Sequence, residues 1–516
     1  MTLLLILISV LTTLIVTAFI YIKYKFSYWR RKGVAYVGPS IPFGNFGAVI
    51  ILKKSFDQVL NELYNSSNEP IVGIYTGLRP SLLIRDQSIA RDILIKDFQS
   101  FWHRGYHYDE KLNPLAGNLF ANSGEKWKMM RSKLSPAFSS SKIKAMFDTI
   151  VDCGQSLENH IAKYDGKEIE VREIFARFTT NVIASVAFGI NIDCIENPND
   201  EFREYSRRFF ETNATCVFRF LISFVSPFLT KLLRIRYTDT DVEHFMRETI
   251  RQNLDYREQN DVIRKDFFQI LIQLRNAGTV QGDSDWSTKT TAEKSLSLDD
   301  MTAQAFIFIV AGYESSSTTM SYCLYELAKN PELQQQIYEE ILSVLRNHNN
   351  RITYDSLSEM KCLDNCIDET LRLYPPFDAL TRECTKDYTI SNSNVVIEKG
   401  TPIYFSITGP QYDPQFYDQP NKFIPDRFKD HQKSVDAPFW VFGDGPRNCI
   451  GMRLGKVLSK LGVCLLLHKF EFELGTQHMN AELEFEAKSI VKAPISGIHL
   501  KCKKKPYNSL YKKSGK

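Results

Sequence analysis

The chain starts with a continuous apolar run, and basic residues follow it directly. Leu3 to Ile22 contains no charged residue and is about as long as a helix that crosses a bilayer. The basic cluster after this run consists of Lys23, Lys25, Arg30, Arg31 and Lys32. A cleaved signal peptide is the alternative, but its positive charge would precede the apolar run. The pattern predicts one transmembrane helix, with the amino terminus in the lumen and the rest of the chain in the cytosol.

Beyond this run, the spacing of apolar positions predicts mostly helices. Ile71 to Ile84 is an exception, because its β-favouring residues are interrupted by Gly77 to Pro80, which predicts a hairpin. Ser297-Leu298-Asp299-Asp300 resembles a capping box and starts an apolar pattern that continues to about Lys329. Since an average helix has only about eleven or twelve residues, we expect this one to cross the molecule. The pattern therefore predicts a mainly α fold with small β-sheets.

Composition and charge exclude some functions. The 516 residues have a formal net charge of +4 and no basic stripe interleaved with aromatic residues, so no nucleic-acid partner is expected. No Pro/Gly/Ser-rich linker divides the chain. The ten cysteines have no pairing pattern, and a cytosolic body would keep them reduced. We therefore predict no disulfide bonds.

One cysteine lies in a glycine-rich loop. Cys449 follows Gly443 and Gly445, and an amphipathic helix is predicted directly after Gly451. The positive end of that helix and the free N–H groups of the loop would stabilise a thiolate. The residues alone leave two interpretations open, a metal ligand and a buried structural cysteine.

The spacing of this loop, F-G-x-G-P-R-x-C-x-G, resembles the haem-binding loop of cytochromes P450. The matching residues are Phe442, Gly443, Gly445, Arg447, Cys449 and Gly451. The resemblance implies that Cys449 is the axial thiolate ligand of the iron of haem b. It also implies that the cofactor is bound by Phe442, Gly443, Arg447 and Gly451. A thiolate ligand favours O–O cleavage because it pushes electron density onto the iron.

Two further segments resemble parts of the P450 haem pocket. Trp127 and Arg131 are four residues apart in a predicted helix and therefore share one face. They match the C helix, whose tryptophan and arginine bind a haem propionate. Arg382 matches an arginine that contacts a propionate from the strand after the K helix. Without the resemblance, a half-buried tryptophan and a surface arginine would explain these residues.

The centre of the long helix, Ala311-Gly312-Tyr313-Glu314-Ser315-Ser316, resembles the oxygen-binding groove of the P450 I helix. The resemblance implies that Ala311 and Gly312 flank the cofactor and dioxygen, and that Glu314 and Ser315 are catalytic residues that relay protons. The family usually has threonine at the position of Ser315. Serine keeps the hydroxyl but lacks the β-branch that restricts its rotamer. This departure concerns the efficiency of proton delivery and not the class of chemistry.

A charged network is implied behind the cysteine loop. Glu369 and Arg372 share one face of a predicted helix, although most such pairs are solvated and contribute little. The segment Pro420 to Phe428 resembles the P450 meander, which supplies Arg427. The resemblance implies that the three side chains form a buried structural network. A basic surface for an electron donor is predicted from Arg453, Lys456, Lys460, Lys128 and Lys133. A solvated helix face explains those charges equally well.

The resemblance extends from about Pro39 to Lys501 and implies the cytochrome P450 fold, in which a long central I helix and a helical bundle surround the haem. The predicted organisation is a signal anchor at 1–22, a basic and proline-rich hinge at 23–47, the catalytic domain at 48–501 and a basic tail at 502–516. In this fold the apolar, aromatic segment 209–225 would roof the substrate cavity. Core packing is the simpler explanation for most of those residues.

The functional expectation follows from the same resemblance, which is closest to insect microsomal P450s that oxidise xenobiotics. It implies a haem-thiolate monooxygenase that oxidises apolar plant toxins or insecticides with O2. Electrons would come from NADPH through NADPH-cytochrome P450 reductase, with cytochrome b5 as a second partner. The expected location is the endoplasmic reticulum membrane, with one span and a cytosolic catalytic domain. The alternatives are a P450 acting on an endogenous lipid or hormone, a non-oxygenating isomerase or dehydratase, and a haem-binding sensor.

Overall fold

The computed structural model describes residues 2–209, 219, 222, 227–282, 285–287, 296–391, 393–431, 437–479, 483–489 and 491–505. Its helices are α1 Thr2–Phe26, α2 Tyr28–Arg31, α3 Gly47–Ile50, α4 Phe56–Asn65, α5 Gln87–Arg91, α6 Gly124–Leu134, α7 Ser140–Ile161, α8 Val171–Ile183, α9 Glu201–Arg208, α10 Pro227–Leu232, α11 Thr240–Gln259, α12 Phe267–Ala277, α13 Leu298–Lys329, α14 Pro331–Asn347, α15 Tyr354–Glu359, α16 Lys361–Leu373, α17 Thr408–Gln411 and α18 Met452–Lys469. Its strands are β1 Ile71–Thr76, β2 Arg79–Ile84, β3 Glu168–Glu170, β4 Ala379–Glu383, β5 Tyr388–Thr389, β6 Val396–Ile397, β7 Pro402–Ser406, β8 Phe470–Leu474 and β9 His499–Lys504. The predicted fold class, mainly α with small sheets, is confirmed.

Helix α13 is the predicted long helix, and its 32 residues span about 48 Å at the 1.5 Å rise of an α-helix. Its first turn is closed by the predicted capping box, because the Ser297 side chain accepts from Asp300 N–H and the Asp300 carboxylate accepts from Ser297 N–H. The helix packs against α8, α11, α16 and α18. The approach to α18 requires Gly462, since a Cβ there would lie 2.1 Å from the Met320 sulfur. Helix α13 therefore forms the centre of the main apolar core.

The strands form three small sheets. The largest has the order β1-β2-β7-β4, with β2 parallel to β7 and the other pairs antiparallel. Strands β1 and β2 are the predicted hairpin, although β2 already begins at Arg79, so that Pro80 lies in the strand opposite Tyr75. The second sheet has the order β3-β9-β8, and β5 pairs with β6. Strand β9 includes Cys502, so the first residues of the predicted basic tail at 502–516 belong to a sheet.

The amino-terminal helix α1 is exposed from Thr2 to Tyr21. It is the one described helix that is long and apolar enough to cross a membrane, with a mean hydropathy of 2.8 and none of that window buried. The helix ends at Phe26, four residues beyond the predicted end of the anchor, and places Lys23 and Lys25 in its last turn. Among the described residues, nothing covers the apolar surface of this 18-residue window of α1.

The predicted hinge at 23–47 packs on the largest sheet. Trp29 is 1% exposed, and its Nε1 donates a hydrogen bond to the Ile74 carbonyl at 3.0 Å. The indole packs directly on Gly73, and this contact requires glycine, since a Cβ on Gly73 would lie 2.5 Å from the Trp29 ring. The Tyr75 hydroxyl donates to the carbonyl of Phe26 at 2.8 Å. This segment therefore joins the core of the body from Phe26 onward.

We expect deletion of residues 2–21 to leave the fold intact, because these side chains contact little of the body. The free energy of unfolding should change by less than about 0.5 kcal/mol, the usual range for exposed positions. Trp29→Ala should cost about 3–5 kcal/mol, because it empties a buried aromatic site. Thermal unfolding of the two haem-loaded proteins in detergent tests this contrast. Loss of folding on the deletion alone would contradict the separation of α1 from the body.

The structure does not describe most of the segment predicted to roof the substrate cavity. Within 209–225, only Phe209, Arg219 and Ile222 lie among the described residues. Phe209 packs edge-on against Phe306 of α13, with ring centroids 5.6 Å apart. The other residues of this predicted roof, and the tail beyond residue 505, fall outside the described residues.

Candidate active site

The cysteine loop lies between a short 3-10 turn at Trp440–Phe442 and the start of α18. Two of its glycines have positive φ, 72° at Gly443 and 67° at Gly445, a conformation that other residues rarely adopt. Gly445 also allows a close approach, because a Cβ there would lie 2.0 Å from the Leu94 carbonyl oxygen. The loop closes where Cys449 N–H donates to the Phe442 carbonyl at 2.7 Å. The glycine spacing therefore sets the position of the cysteine.

The Cys449 side chain is exposed to a cavity rather than packed in the core. Burial by the surrounding protein raises the pKa of its thiol, while a hydrogen bond from Gly451 N–H and the charges of Arg104 and Arg131 lower it. A metal ion at this sulfur would deprotonate the thiol outright. The net effect raises the pKa of the thiol, so it is the exposure of the sulfur to the cavity that suits a metal ligand better than a structural cysteine.

The cavity has a volume of ≈ 370 Å³ and lies between α13, α8 and the cysteine loop. Its lining is mostly apolar and includes Phe138, Ile183, Phe308, Phe377, Leu380 and Val441. Cys449, Phe442, Gly443 and Gly451 come from the loop side, and Ala311, Gly312 and Ser315 come from α13. The fold thus places the predicted loop and the predicted groove in the lining of one cavity.

Four arginines line the same cavity: Arg104, Arg131, Arg382 and Arg447. Burial, together with the charges of the other three arginines, lowers the pKa of the Arg447 guanidinium to about 7. Burial and the charge of Arg104 lower the pKa of Arg382 to about 9. In the described part of the chain no carboxylate forms an ion pair with any of the four, and Arg382 Nε is buried without a hydrogen-bond partner. This cluster of positive charge provides a site for an anionic ligand.

Three of these arginines also hold the pocket together. Arg131 donates to the Asn448 carbonyl at 2.9 Å and to its Oδ1 at 2.7 Å, so it binds the cysteine loop directly. Arg447 donates to the Trp102 carbonyl at 3.0 Å, and its guanidinium lies 4.3 Å from the centre of the Trp127 ring. Arg382 donates to the Thr381 carbonyl. The structure therefore brings Trp127, Arg131, Arg382 and Arg447 together, as the sequence predicts.

Arg104 is the pocket residue that the sequence analysis missed. It donates to the Arg447 carbonyl at 3.0 Å and stacks on the Phe120 ring. Burial lowers the pKa of its guanidinium to about 10, and the nearby Cys449 sulfur raises it. Arg104 lies in an irregular segment, so no periodicity marks it, and only the tertiary structure places it beside the cysteine loop.

The groove residues of α13 divide between two sides of the helix. Ala311, Gly312 and Ser315 line the cavity, and Ser315 Oγ donates to the Ala311 carbonyl one turn earlier. A Cβ on Gly312 would lie 2.9 Å from Ile183, so glycine here allows close packing against α8. Glu314 does not line the cavity, and its carboxylate pairs with Arg172 at 2.8 Å. The catalytic pair Glu314 and Ser315 is thus not joined by a direct contact, and its role stays a prediction.

The predicted structural network is present and buried. Glu369 and Arg372 are both 0% exposed, and they form two hydrogen bonds of 2.8 and 2.9 Å. Arg372 also donates to the carbonyls of Gln411, Pro420 and Lys422. Glu369 accepts from Ile424 N–H at 2.8 Å and from Arg427 at 3.3 Å. These bonds fix the segment that precedes the cysteine loop against α16.

The predicted basic surface is partly neutralised by α16. Lys456 pairs with Asp368, and Lys460 pairs with Asp364 at 2.8 Å. Lys460 is buried, and its burial lowers the pKa of the ammonium group. Arg453 remains exposed at the start of α18. The net positive charge of this face is therefore smaller than the count of basic residues indicates.

Comparison with known proteins agrees with this geometry. The family model described as "Cytochrome P450" matches residues 37–500. The chain is 40% identical to "Probable cytochrome P450 6d5" of Drosophila melanogaster, over 93% of this chain and 96% of that protein. It is 36% identical to "Cytochrome P450 6d3" of Musca domestica, over 97% and 99%, and 36% identical to "Cytochrome P450 6k1" of Blattella germanica, over 95% of each. The chain belongs to the cytochrome P450 family, whose members are monooxygenases that bind haem through a cysteine thiolate.

Proposed function

We propose that this P450 oxidises apolar xenobiotics, such as plant toxins or insecticides, with O2 and with electrons that NADPH supplies through a reductase. The observation that carries the proposal is that Cys449 and the α13 groove line the same, mostly apolar cavity. The relatives named above, all from insects, support a role in the metabolism of foreign compounds.

The residues of the cavity fit haem b. The cavity is mostly apolar, is lined by four arginines and includes the Cys449 sulfur, so it suits a largely apolar ligand that carries anionic groups and a metal. Haem meets these conditions, because its two propionates would pair with the guanidinium groups of Arg104, Arg131, Arg382 and Arg447. The unpartnered Nε of Arg382 would gain an acceptor. Trp127, Phe442, Gly443 and Gly451 would contact the cofactor from the loop side, and Ala311 and Gly312 from α13.

Haem supplies the one-electron and O2 chemistry when it is bound. The chain contributes binding, orientation and proton delivery. Ser315 lines the cavity, and its hydroxyl donates to the Ala311 carbonyl, so its oxygen can accept a hydrogen bond from the groove and pass a proton on when the hydroxyl rotates. Glu314 lies one residue away and is held by Arg172, and we propose that it reaches the groove through water rather than by direct contact.

The substrate is selected by shape and by removal from water. Phe120, Ile307, Phe308, Phe377 and Leu380 supply apolar walls, and few polar groups apart from the arginine cluster line the space. Such a surface binds apolar molecules of varied outline, because it offers few directed hydrogen bonds. A cavity that binds molecules of varied outline suits a range of foreign compounds better than it suits a single hormone.

We place the protein in the endoplasmic reticulum membrane, anchored by α1, with its body in the cytosol. The support is the exposed apolar helix and the positive charge of Lys23 and Lys25 at its carboxyl end. The partners would be NADPH-cytochrome P450 reductase and cytochrome b5, which carry acidic surfaces that suit the exposed Arg453 and Lys128.

Oxygen consumption tests the proposed function. The haem-loaded protein is combined with a P450 reductase, NADPH and a panel of plant toxins, insecticides, lipids and hormones. We expect O2 uptake and oxygenated products from several foreign compounds. An isomerase or dehydratase would convert a peroxide without NADPH, and a sensor would form no product. Turnover confined to one endogenous lipid or hormone would overturn the xenobiotic assignment.

Replacement of Ser315 should uncouple the enzyme. In Ser315→Ala the positioned donor is lost, and we expect product formation to fall by about 10²-fold, the lower end of general-acid effects, because water partly replaces the hydroxyl. NADPH and O2 should still be consumed, with more hydrogen peroxide released. Ser315→Thr should leave coupling unchanged or improve it, since it adds the β-branch.

Ser317→Ala is the matched control for this variant. Ser317 also bonds back to the carbonyl one turn earlier, at 2.9 Å from the Tyr313 oxygen, but it does not line the cavity. The control should couple as the wild type does. Equal coupling in Ser315→Ala would show that the proton reaches the groove without Ser315.

A further inference from the structure

A second cluster of potential ligands lies outside the haem cavity, where the segment 103–107 meets strand β4. His107 Nε2 lies 3.0 Å from Glu383 Oε2, and His103 Nδ1 lies 3.5 Å from Glu383 Oε1. The two imidazole rings are 5.0 Å apart, centre to centre. Among the described residues, no other group of three His, Cys, Asp or Glu side chains converges as closely. We propose that His103, His107 and Glu383 bind a Zn²⁺ ion.

The distances suit this ion. The three ligand atoms lie within 4.8 Å of one another. Tetrahedral zinc with bonds of about 2.0–2.2 Å places its ligand atoms about 3.3–3.6 Å apart. The His103–Glu383 contact already lies in this range, and side-chain rotation closes the wider separation. Two imidazoles and one carboxylate are a ligand set that zinc accepts, and the fourth position stays open for water.

His103 offers an acceptor nitrogen to the cluster. Gly105 N–H donates to His103 Nδ1 at 3.0 Å, so the lone pair of this nitrogen points toward the Gly105 amide. A histidine binds a metal through such an unprotonated nitrogen. Binding would therefore replace the hydrogen bond from Gly105 with a bond to the ion.

The carboxylate of Glu383 is already oriented. Arg79 donates to Glu383 Oε2 and to the Gly400 carbonyl, which fixes the carboxylate from behind. Partners of this kind orient metal ligands, although the charge of Arg79 also opposes the ion. We therefore expect a weaker site than a structural zinc site.

The alternative to a metal site is a simple ion pair between Arg79 and Glu383. Such a pair does not account for the two histidines beside the same carboxylate. Both imidazoles come from one short irregular segment, in which the His103 carbonyl accepts from Glu383 N–H at 2.8 Å. The backbone thus already joins this segment to β4, and a metal ion would add a second connection through the side chains. The neighbours of these ligands in the chain are Arg104 and Arg382, which line the haem cavity. Zinc would therefore hold together two of the segments that carry the cavity arginines.

Calorimetric titration of the untagged holoprotein with ZnCl2, after treatment with EDTA and dialysis, tests the site. We expect one saturable ion per chain. His103→Asn and His107→Gln should each weaken binding at least about 100-fold, because each removes a ligand. His348→Gln is the matched control, since His348 lies 3.0 Å from Glu359 without a third ligand, and it should bind as the wild type does.

X-ray absorption at the zinc edge of the wild-type complex tests the site without any variant. We expect two imidazole nitrogens and carboxylate oxygen at about 2.0–2.2 Å. Sulfur in the ligand shell, absence of histidine, no saturable binding, or unchanged binding in both histidine variants would overturn the proposal. Haem loading is followed separately by the spectrum of the reduced protein under CO, so a failure here is distinct from a failure of the monooxygenase assignment.

Discussion

Cys449→Ser should abolish monooxygenation. The substitution removes the thiolate while it barely changes the side-chain volume, so the loop closed by Cys449 N–H and the Phe442 carbonyl should persist. An alcohol is a far weaker donor to iron than a thiolate, and it does not supply the electron density that favours O–O cleavage. We expect product formation to fall to background and the reduced protein under CO to lose the red-shifted Soret band that reports thiolate ligation.

Cys362→Ser is the control for this experiment. Cys362 is an exposed free cysteine on α16 and does not line the cavity. The control should keep both the spectrum and the activity, which separates loss of the ligand from general loss of a thiol. Retention of the red-shifted band in Cys449→Ser would refute the assignment of Cys449 as the ligand.

Glu369→Ala should strongly destabilise the fold. It leaves the fully buried Arg372 without its carboxylate and removes the acceptor of Ile424 N–H. Removing one partner of a buried ion pair costs about 3–5 kcal/mol, since the remaining charge is uncompensated. A typical domain has only about 5–15 kcal/mol of stability, so we expect poor haem incorporation and a large fall in the midpoint of thermal unfolding.

An exposed ion pair provides the comparison. Glu62 pairs with Lys54 at 2.6 Å, but both side chains are about half exposed. Glu62→Ala should change the free energy of unfolding by no more than about 1 kcal/mol, because surface pairs contribute little. If the two variants unfolded at the same temperature, the network around Glu369 would not have the structural role proposed for it.

Several features of this chain follow from the sequence alone because they depend on neighbours in the chain. The apolar run gives helix α1, and the capping box of Ser297 and Asp300 starts α13. The hairpin of β1 and β2 follows from its β-favouring residues and its turn. The positive φ angles of Gly443 and Gly445 set the cysteine loop. Periodicity, capping and glycine conformation are local effects, so a linear pattern determines them.

The composition of a segment determines its boundaries less well than the local pattern determines helices and turns. The basic and proline-rich stretch at 23–47 has the composition of a linker, yet Trp29 packs over Gly73. The lysine-rich end has the composition of a tail, yet Lys501 and Lys503 alternate with the buried Leu500 and Cys502 in β9. In both places a few buried side chains decide the structure, because the free energy of burial outweighs the average polarity of a segment.

Only the tertiary structure decided which distant residues meet. It turned Ser315 toward the cavity and Glu314 toward Arg172, although the two are adjacent in the chain. It brought Arg104 to Arg447 of the cysteine loop, 343 residues away in the chain. It also brought His103 and His107 to Glu383, with 276 residues separating His107 from Glu383. Such contacts depend on the directions in which packed helices and strands point their side chains. Those directions are set by the whole core, so no local pattern in the sequence encodes them.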